Sequence, residues 1–324
     1  GSEMCIRDRQ KGSYIMEQIK FTADRSGERI DRFLSENLEN LSRSYIQKLL
    51  KDGKISVNQS SVKPNYKISE NDKIEVFIPD PEVLDILPEN IPLDILYEDS
   101  DILIVNKPKN MVVHPAPGHY EHTLVNAVMY HCKDNLSGIN GILRPGIVHR
   151  IDMDTTGSLL ICKNDKAHQI IAEQLKEHSI TRRYHAIVHG KIKEDNGVVN
   201  APIGRHPIDR KKMSTKAKNG KHAVTHYTVL RRFKDYTYIE CELETGRTHQ
   251  IRVHMASIGH PILGDSMYGP SKCPFKLQGQ TLHAKVLGIT HPSTGKYIEV
   301  DAPLPEYFNK LPVSYTHLRA HETS

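Results

Sequence analysis

The chain has 324 residues, 38% hydrophobic and 26% charged, with a formal net charge of +5 and a pI near 8.8. With a mean hydropathy of −0.50 this is the composition of a soluble globular protein, and it excludes a disordered or collagen-like chain. No apolar run approaches the roughly 20 residues of a membrane helix, and Met16 to Phe21 does not read as a signal-peptide start, so a cytoplasmic location is expected.

In chain order, the ends come first. The C-terminal VSYTHLRA, written as DNA and read on the opposite strand, yields the GSEMCIRD with which the chain opens. One reverse-complementary element at both ends resembles a sequencing adapter carried into the reading frame. Residues 1–15 and 313–324 are therefore expected to be non-native tails, with the native start at Met16.

From Glu28 to Val76 the apolar spacing changes from helical to alternating. Ile30, Phe33, Leu34 and Leu38 fall on one helix face, and a second helix is expected with a Ser42 cap and a Gly53 stop. The short strands KISVN and DKIEV follow. Glu28 to Val76 is thus expected to form a compact α+β module of roughly fifty residues, close to the lower limit for folding alone, within a domain at 16–78. This segment resembles the S4 RNA-binding domain. The resemblance implies that Arg43, Gln47, Lys48, Lys51 and Lys54 face RNA phosphates; taken alone they would be an ordinary polar helix face. PDPEVLDILPENIP, residues 79–92 with four prolines, reads as a linker.

Residues 93–312 read as a mixed, β-rich unit. Strands are expected at 102–105, 147–148, 158–162, 183–188, 224–231 and 236–242, and helices at 123–131, 166–177 and 248–258. Neither a Walker loop nor a dinucleotide fingerprint occurs, so no cofactor is expected. The 19 histidines include no HExxH pair, and His249 and His254 stand five apart instead of the four that would share a helix face, so no metal is expected either. Cys132, Cys162, Cys241 and Cys273 are too widely spaced for a zinc knuckle or a disulfide framework, and read as ordinary buried thiols. RHPIDRKKMSTKAKNGKH, residues 205–222, carries seven Lys and Arg, among them Arg205, Lys211 and Lys212, against the single acid Asp209. It reads as an exposed basic loop. As an isolated charge run it would be a solvated surface, and the S4-like module in front of it raises the weight of phosphate contact.

GIVHRIDMDTTGSLLICKND, residues 146–165, places His149, Arg150, Asp152 and Asp154 between two apolar runs, followed by the turn-prone Thr155, Thr156 and Gly157. A lone Arg-x-Asp is usually a surface ion pair beside a turn. Here it has company: NKPKNMVVHPAPGH at 106–119, RRYHAIVHG at 182–190 and ETGRTHQIRVHMASIGHPILGDSMYG at 244–269. Together, in order and spacing, these motifs resemble the RluA/RluD family of pseudouridine synthases, and the basic loop followed by AVTHY is similar to its ribosomal large subunit synthase D-like branch. The resemblance runs from about Phe21 to Pro312. It departs from the usual pattern at Ile151, where leucine is common, at Lys109 and Asn110, where a small residue and glycine are common, and at Ser158.

The resemblance implies an isomerase that detaches uracil from ribose at N1, rotates it and rejoins it through C5, within RNA. A carboxylate can do this without a metal or cofactor, and the family's aspartate falls on Asp152. Attack at C1′, attack at C6 and removal of a ribose proton all stay open. A guanidinium beside such a carboxylate favours its charged form, and the resemblance gives that place to Arg247. Tyr184 matches the tyrosine that stacks on the target base, and Arg150 the arginine that fills the place of an everted uridine, offsetting the unstacking cost. Ile251 lines the pocket, His149 orders the loop and Asp154 belongs to the turn. The fold implied is α+β: a small S4-like domain and a catalytic domain with a central mixed or antiparallel sheet, acting as a monomer on a stem-loop of large-subunit ribosomal RNA. Two other classes share part of this pattern. A binding-only RNA chaperone would not need Asp152, Tyr184 and Arg247 together, and a metal-dependent hydrolase would need a convergent His and carboxylate set.

Overall fold

The computed structural model describes residues 17–38, 43–78, 86–115, 119–133, 135–139, 145–271, 273, 275–308 and 310–311. The two expected tails, the cap expected at Ser42 and residues 79–85 of the expected linker lie outside these described residues. The chain divides into two compact units, Gly1–Leu84 and Asp85–Ser324.

The first unit contains β1 (Glu17–Thr22), α1 (Ile30–Asn37), α2 (Arg43–Lys51), β2 (Ile55–Val57), β3 (Ser60–Ser61) and β4 (Lys73–Ile78). Its strands pair antiparallel in the order β1-β4-β2-β3. Alternation puts Ile55 and Val57 of β2 and Ile74 and Val76 of β4 on one face, where they meet Ile30, Phe33 and Leu34 of α1 and Ile46, Leu49 and Leu50 of α2. Leu38 packs against the same core. Gly53, at φ +67°, ends α2 and lets the Lys54 N–H reach back 2.8 Å to the Leu49 carbonyl.

Asp31 is fully buried under this helix pair. Arg29 donates to it at 2.9 and 3.0 Å, Gln47 at 2.5 Å and Arg43 at 3.2 to 3.3 Å. Burial raises the pKa of its carboxyl and these donors lower it; the donors win and leave it at about 2. The stabilisation is therefore complete above the ordinary value of 3.8 and is lost as pH falls towards 2. Asp31→Asn is expected to cost about 1 to 3 kcal/mol. Thermal melts at pH 7 would register it as a lower midpoint, with the gap to wild type narrowing below pH 4; equal midpoints at pH 7 would refute it. Arg43, expected to face phosphates, is tied to Asp31, whereas Lys48 and Lys51 are exposed and Lys54 half-buried.

The second unit runs β5 (Ile95–Glu98), β6 (Ile102–Lys107), α3 (Leu124–Cys132), β7 (Thr156–Cys162), α4 (Asp165–Lys176), β8 (Thr181–His189), β9 (Asn196–Asn200), β10 (Gly204–Arg205), β11 (Met213–Ser214), β12 (Val224–Arg232), β13 (Tyr236–Leu243), α5 (Gln250–Ser257), β14 (Leu282–Thr290) and β15 (Tyr297–Asp301). Nine of these strands form one mixed sheet in the order β5-β6-β7-β14-β8-β13-β12-β9, with β15 also paired to β14. β7 and β14 run parallel; the other paired strands of this sheet are antiparallel. Alternate residues of β6 and β7 divide between two cores. Leu103, Val105, Leu159 and Ile161 pack with Leu124 and Val128 of α3 and Ile251 and Met255 of α5. Ile102, Ile104, Leu160 and Cys162 pack with Ala167 and Ile171 of α4. α3 starts in a capping box, in which Thr123 and Asn126 satisfy each other's backbone.

Three local expectations are corrected. Ile147 forms only an isolated bridge, to Ile161, and no strand is present at 147–148. The turn is confined to Met153 and Asp154, closed by the Thr155 N–H on the Asp152 carbonyl at 3.0 Å, and Thr156 and Gly157 already belong to β7. Gly157 is required there for close approach: a Cβ would lie 2.3 Å from the Ala284 carbonyl oxygen of β14. α5 begins at Gln250, not at Thr248. The basic segment is exposed over most of its length and carries the short β10/β11 ladder. Cys132, Cys162 and Cys241 are buried free thiols and Cys273 is half-buried. No described helix is long and apolar enough to cross a membrane.

Candidate active site

Asp152 sits on the loop that enters β7, and its side chain keeps 19% exposure. The loop is held from both sides. Upstream, the His149 Nε2 accepts the Leu160 N–H of β7 at 2.9 Å; burial, helped by Arg182, pushes this imidazole down to about 4, so it is a neutral acceptor. Downstream, the fully buried Lys107 of β6 donates to the carbonyls of Pro108, Met111 and Met153 at 2.8, 2.8 and 2.9 Å. Burial pushes this ammonium down to about 7, and the nearby Asp154 and Asp152 oppose that shift. Asn110, where the related motif commonly has glycine, adopts φ +60°. Asparagine tolerates this left-handed conformation better than most residues, so the turn at 108–111 survives the departure.

The carboxylate is held by Arg252. Its Nη1 donates to the Asp152 Oδ2 at 2.9 Å, while Nε and Nη2 grip the two oxygens of Asp265 at 2.7 and 3.0 Å. Asp265 is itself fixed by the N–H groups of Met267 and Tyr268, at 2.9 and 3.1 Å. The guanidinium lies 5.1 Å over the Tyr268 ring. Burial lowers the pKa of Arg252, and the two aspartates outweigh it and raise the value, so a permanent cation stands behind the carboxylate.

This corrects the assignment of that role to Arg247. Arg247 precedes α5; its Nε donates to the His222 carbonyl at 2.9 Å and its N–H to Gln250 Oε1 at 2.9 Å. It lines the same pocket without gripping the carboxylate. Arg252, five residues on, lies in the first turn of α5 and reaches Asp152, whereas Arg247 precedes the helix and is drawn to the His222 carbonyl.

The pocket around Asp152 is also lined by Arg150, Tyr184, Leu243, Ile251 and Leu282. Tyr184 lies in β8 between Cys241 of β13 and Ala284 of β14, and is 8% exposed. Burial raises the pKa of its phenol, which stays protonated. Ile251 is buried against the core and Arg150 is exposed at the rim. Arg205 and Lys211 are exposed and Lys212 half-buried in the basic segment. His249, Arg252 and Asp265 lie within the motif at 244–269, where nothing in the sequence marks them as site residues; a sequence cannot say which of two arginines in GRTHQIR faces the acid.

A larger cavity of about 410 Å³, lined by Pro92, Asp94, Asn106, Lys109, Pro305 and Tyr307 among others, does not include Asp152. Asp99, Asp101 and His291 bring three potential ligand atoms within 4.8 Å. His291 is already engaged: its Nδ1 accepts the N–H groups of Ser293 and Thr294, and its Nε2 donates to Asp99 at 2.7 Å. The trio fastens two turns.

Residues 101–257 match the RNA pseudouridylate synthase family and residues 28–74 the S4 domain. An uncharacterized RNA pseudouridine synthase of Bacillus subtilis is 56% identical over 298 residues, 91% of this chain and 97% of the relative. A ribosomal large subunit pseudouridine synthase D of Zymomonas mobilis is 47% identical over 300 residues, 90% of this chain and 94% of the relative. Human RNA pseudouridylate synthase domain containing 1 shares the fold, with a TM-score of 0.54 at 24% identity over 70% of this chain and 96% of that one. The chain belongs to the RNA pseudouridylate synthase family and is an RNA pseudouridine synthase that carries an S4 domain.

Proposed function

We propose that Asp152 is the catalytic carboxylate and that the substrate is a uridine of large-subunit ribosomal RNA, converted by one copy of the chain in the cytoplasm. The observation that carries this is the Asp152–Arg252 pair at 2.9 Å inside a pocket shared with Tyr184 and Ile251. In the reaction the N1–C1′ bond breaks, a C5–C1′ bond forms, the C5 proton leaves to solvent and N1 takes one up. Arg252 fixes Oδ2 and leaves Oδ1 to the substrate. Tyr184 supplies a ring for the everted uracil and Ile251 an apolar wall, and Arg150 at the rim is placed to fill the vacated stack. No residue of the pocket needs a metal or cofactor for this role.

The ribosomal substrate rests on the relatives named as large subunit synthases, from Zymomonas mobilis and, at 41% identity, Pasteurella multocida. Pseudouridines mapped on transcripts of large-subunit ribosomal RNA and of transfer RNA test it: the former should be modified, and modification of transfer RNA alone would overturn it. Arg205, Lys211 and Lys212 are assigned to phosphates, with Lys48, Lys51 and Lys54 of the S4 domain. Changing Arg205, Lys211 and Lys212 to glutamine should weaken RNA binding and flatten its salt dependence by about 0.7 to 0.9 log units per log salt for each lost contact. An unaltered slope in a binding titration against salt would remove them from the interface.

A further inference from the structure

We propose that His249 is a positioning residue for Asp152, held as the neutral Nε2–H imidazole by the Tyr268 hydroxyl, which the basic hairpin in turn fixes. The inference rests on the reading of Asp152 as the catalytic carboxylate.

The hydrogen-bond directions carry it. The Met213 N–H of β11 donates to the Tyr268 oxygen at 2.8 Å, and that hydroxyl lies 2.8 Å from His249 Nδ1. With its oxygen taking the Met213 N–H, the Tyr268 hydroxyl is placed to give its hydrogen to Nδ1, the one acceptor within its reach among the described residues. A neutral imidazole that accepts at Nδ1 carries its proton on Nε2. That Nε2 lies 3.8 Å from Asp152 Oδ1, the oxygen that Arg252 does not hold. His249 lines the pocket, and its backbone is in the left-handed region at φ +57°, which is uncommon outside glycine but which histidine tolerates better than most residues.

Arg252 and His249 thus flank one carboxylate, an ion pair on Oδ2 and a directed N–H beside Oδ1. A proton added at Nδ1 would reverse the Tyr268 contact and turn the hydroxyl hydrogen away, and the resulting imidazolium would draw Oδ1 into an ion pair and away from the substrate. The groups facing the ring are Asp152 and Arg150 from the loop before β7, Arg252 on α5, and Asp265 and Tyr268 after it. Burial is the largest influence and holds the imidazole below its ordinary pKa; Asp152 and Asp265 raise it, Arg252 and Arg150 lower it. Because Tyr268 takes its N–H from the basic hairpin, RNA seated on that hairpin and the geometry of the carboxylate share one chain of hydrogen bonds.

The test uses the full chain and a large-subunit ribosomal RNA transcript that wild type modifies. His249→Asn keeps a residue suited to the left-handed backbone and an amide near the place of Nδ1, but has nothing at Nε2. Its kcat should fall about tenfold, with KM for RNA within about twofold of wild type. His249→Gln, whose amide nitrogen reaches the Nε2 position, should recover part of that loss. Tyr268→Phe removes the hydroxyl that opposes protonation, so the acid limb of its kcat profile should move to higher pH by about half a unit or more. Wild-type kcat in His249→Asn, a loss confined to KM, or an unmoved acid limb in Tyr268→Phe would each overturn the inference. Asp152→Asn run in parallel separates the two failures: if it is inactive while the His249 variants are normal, only this inference falls, and if it is active the reading of the site falls with it.

Discussion

Arg252→Met is expected to lower turnover by about a hundredfold or more, while Arg247→Met keeps most of it. The difference follows from what each guanidinium holds: Arg252 makes an ion pair with Asp152 at 2.9 Å, and Arg247 donates to the His222 carbonyl. Methionine fills the space of the arginine stem but leaves Oδ2 of Asp152 without its donor, so the carboxylate loses a fixed direction as well as a neighbouring charge. It also leaves Asp265, whose side chain is fully buried, without its cation. An unpaired buried charge costs about 3 to 5 kcal/mol, and stability and catalysis would fall together. The double variant Arg252→Met/Asp265→Asn separates them. Removing the second charge should restore most of the melting temperature and none of the turnover. Thermal melts with single-turnover kinetics on the same RNA check both parts, and equal kinetic losses for Arg247→Met and Arg252→Met would refute the assignment.

The parts legible in the sequence are those whose signal is local. The helix face of Ile30, Phe33, Leu34 and Leu38, the alternation in KISVN and DKIEV and the Gly53 stop each depend on a few neighbouring residues, and each appears in the first unit. The strands at 183–188, 224–231 and 236–242 were readable for the same reason. β14 was not. It lies between β7 and β8 and is buried along nearly its whole length, so it shows no polar alternation, and Lys285 and Gly288 interrupt its apolar run. The site divides in the same way. Asp152, Tyr184 and Ile251 were identified by motif and converge on one pocket. Which arginine meets the acid is a tertiary matter: Arg247, before α5, reaches the His222 carbonyl, and Arg252, in the first turn of α5, reaches Asp152. Lys107, in the motif at 106–119, is not legible because a lysine in sequence reads as surface; only the fold brings the carbonyls of Pro108, Met111 and Met153 around its ammonium.

Asp152→Asn is expected to reduce pseudouridine formation to the uncatalysed background. The amide keeps the size of the carboxylate and can still accept from Arg252, but it has neither the charge nor the basicity or nucleophilicity on which the role proposed for Asp152 depends. RNA affinity should stay within about twofold of wild type, because phosphate contacts elsewhere supply most of it. Folding should persist, since Arg252 retains both hydrogen bonds to Asp265. Asp154→Asn is the internal control: it lies in the turn closed by the Thr155 N–H on the Asp152 carbonyl, and such a turn position tolerates an amide. The decisive measurement is tritium release from RNA labelled at uridine C5, under single-turnover conditions with enzyme in excess, because each C5–C1′ bond formed liberates the C5 hydrogen. Wild type and Asp154→Asn should release tritium and Asp152→Asn should release none while still binding the RNA; release by folded Asp152→Asn at a rate near that of wild type would contradict the account.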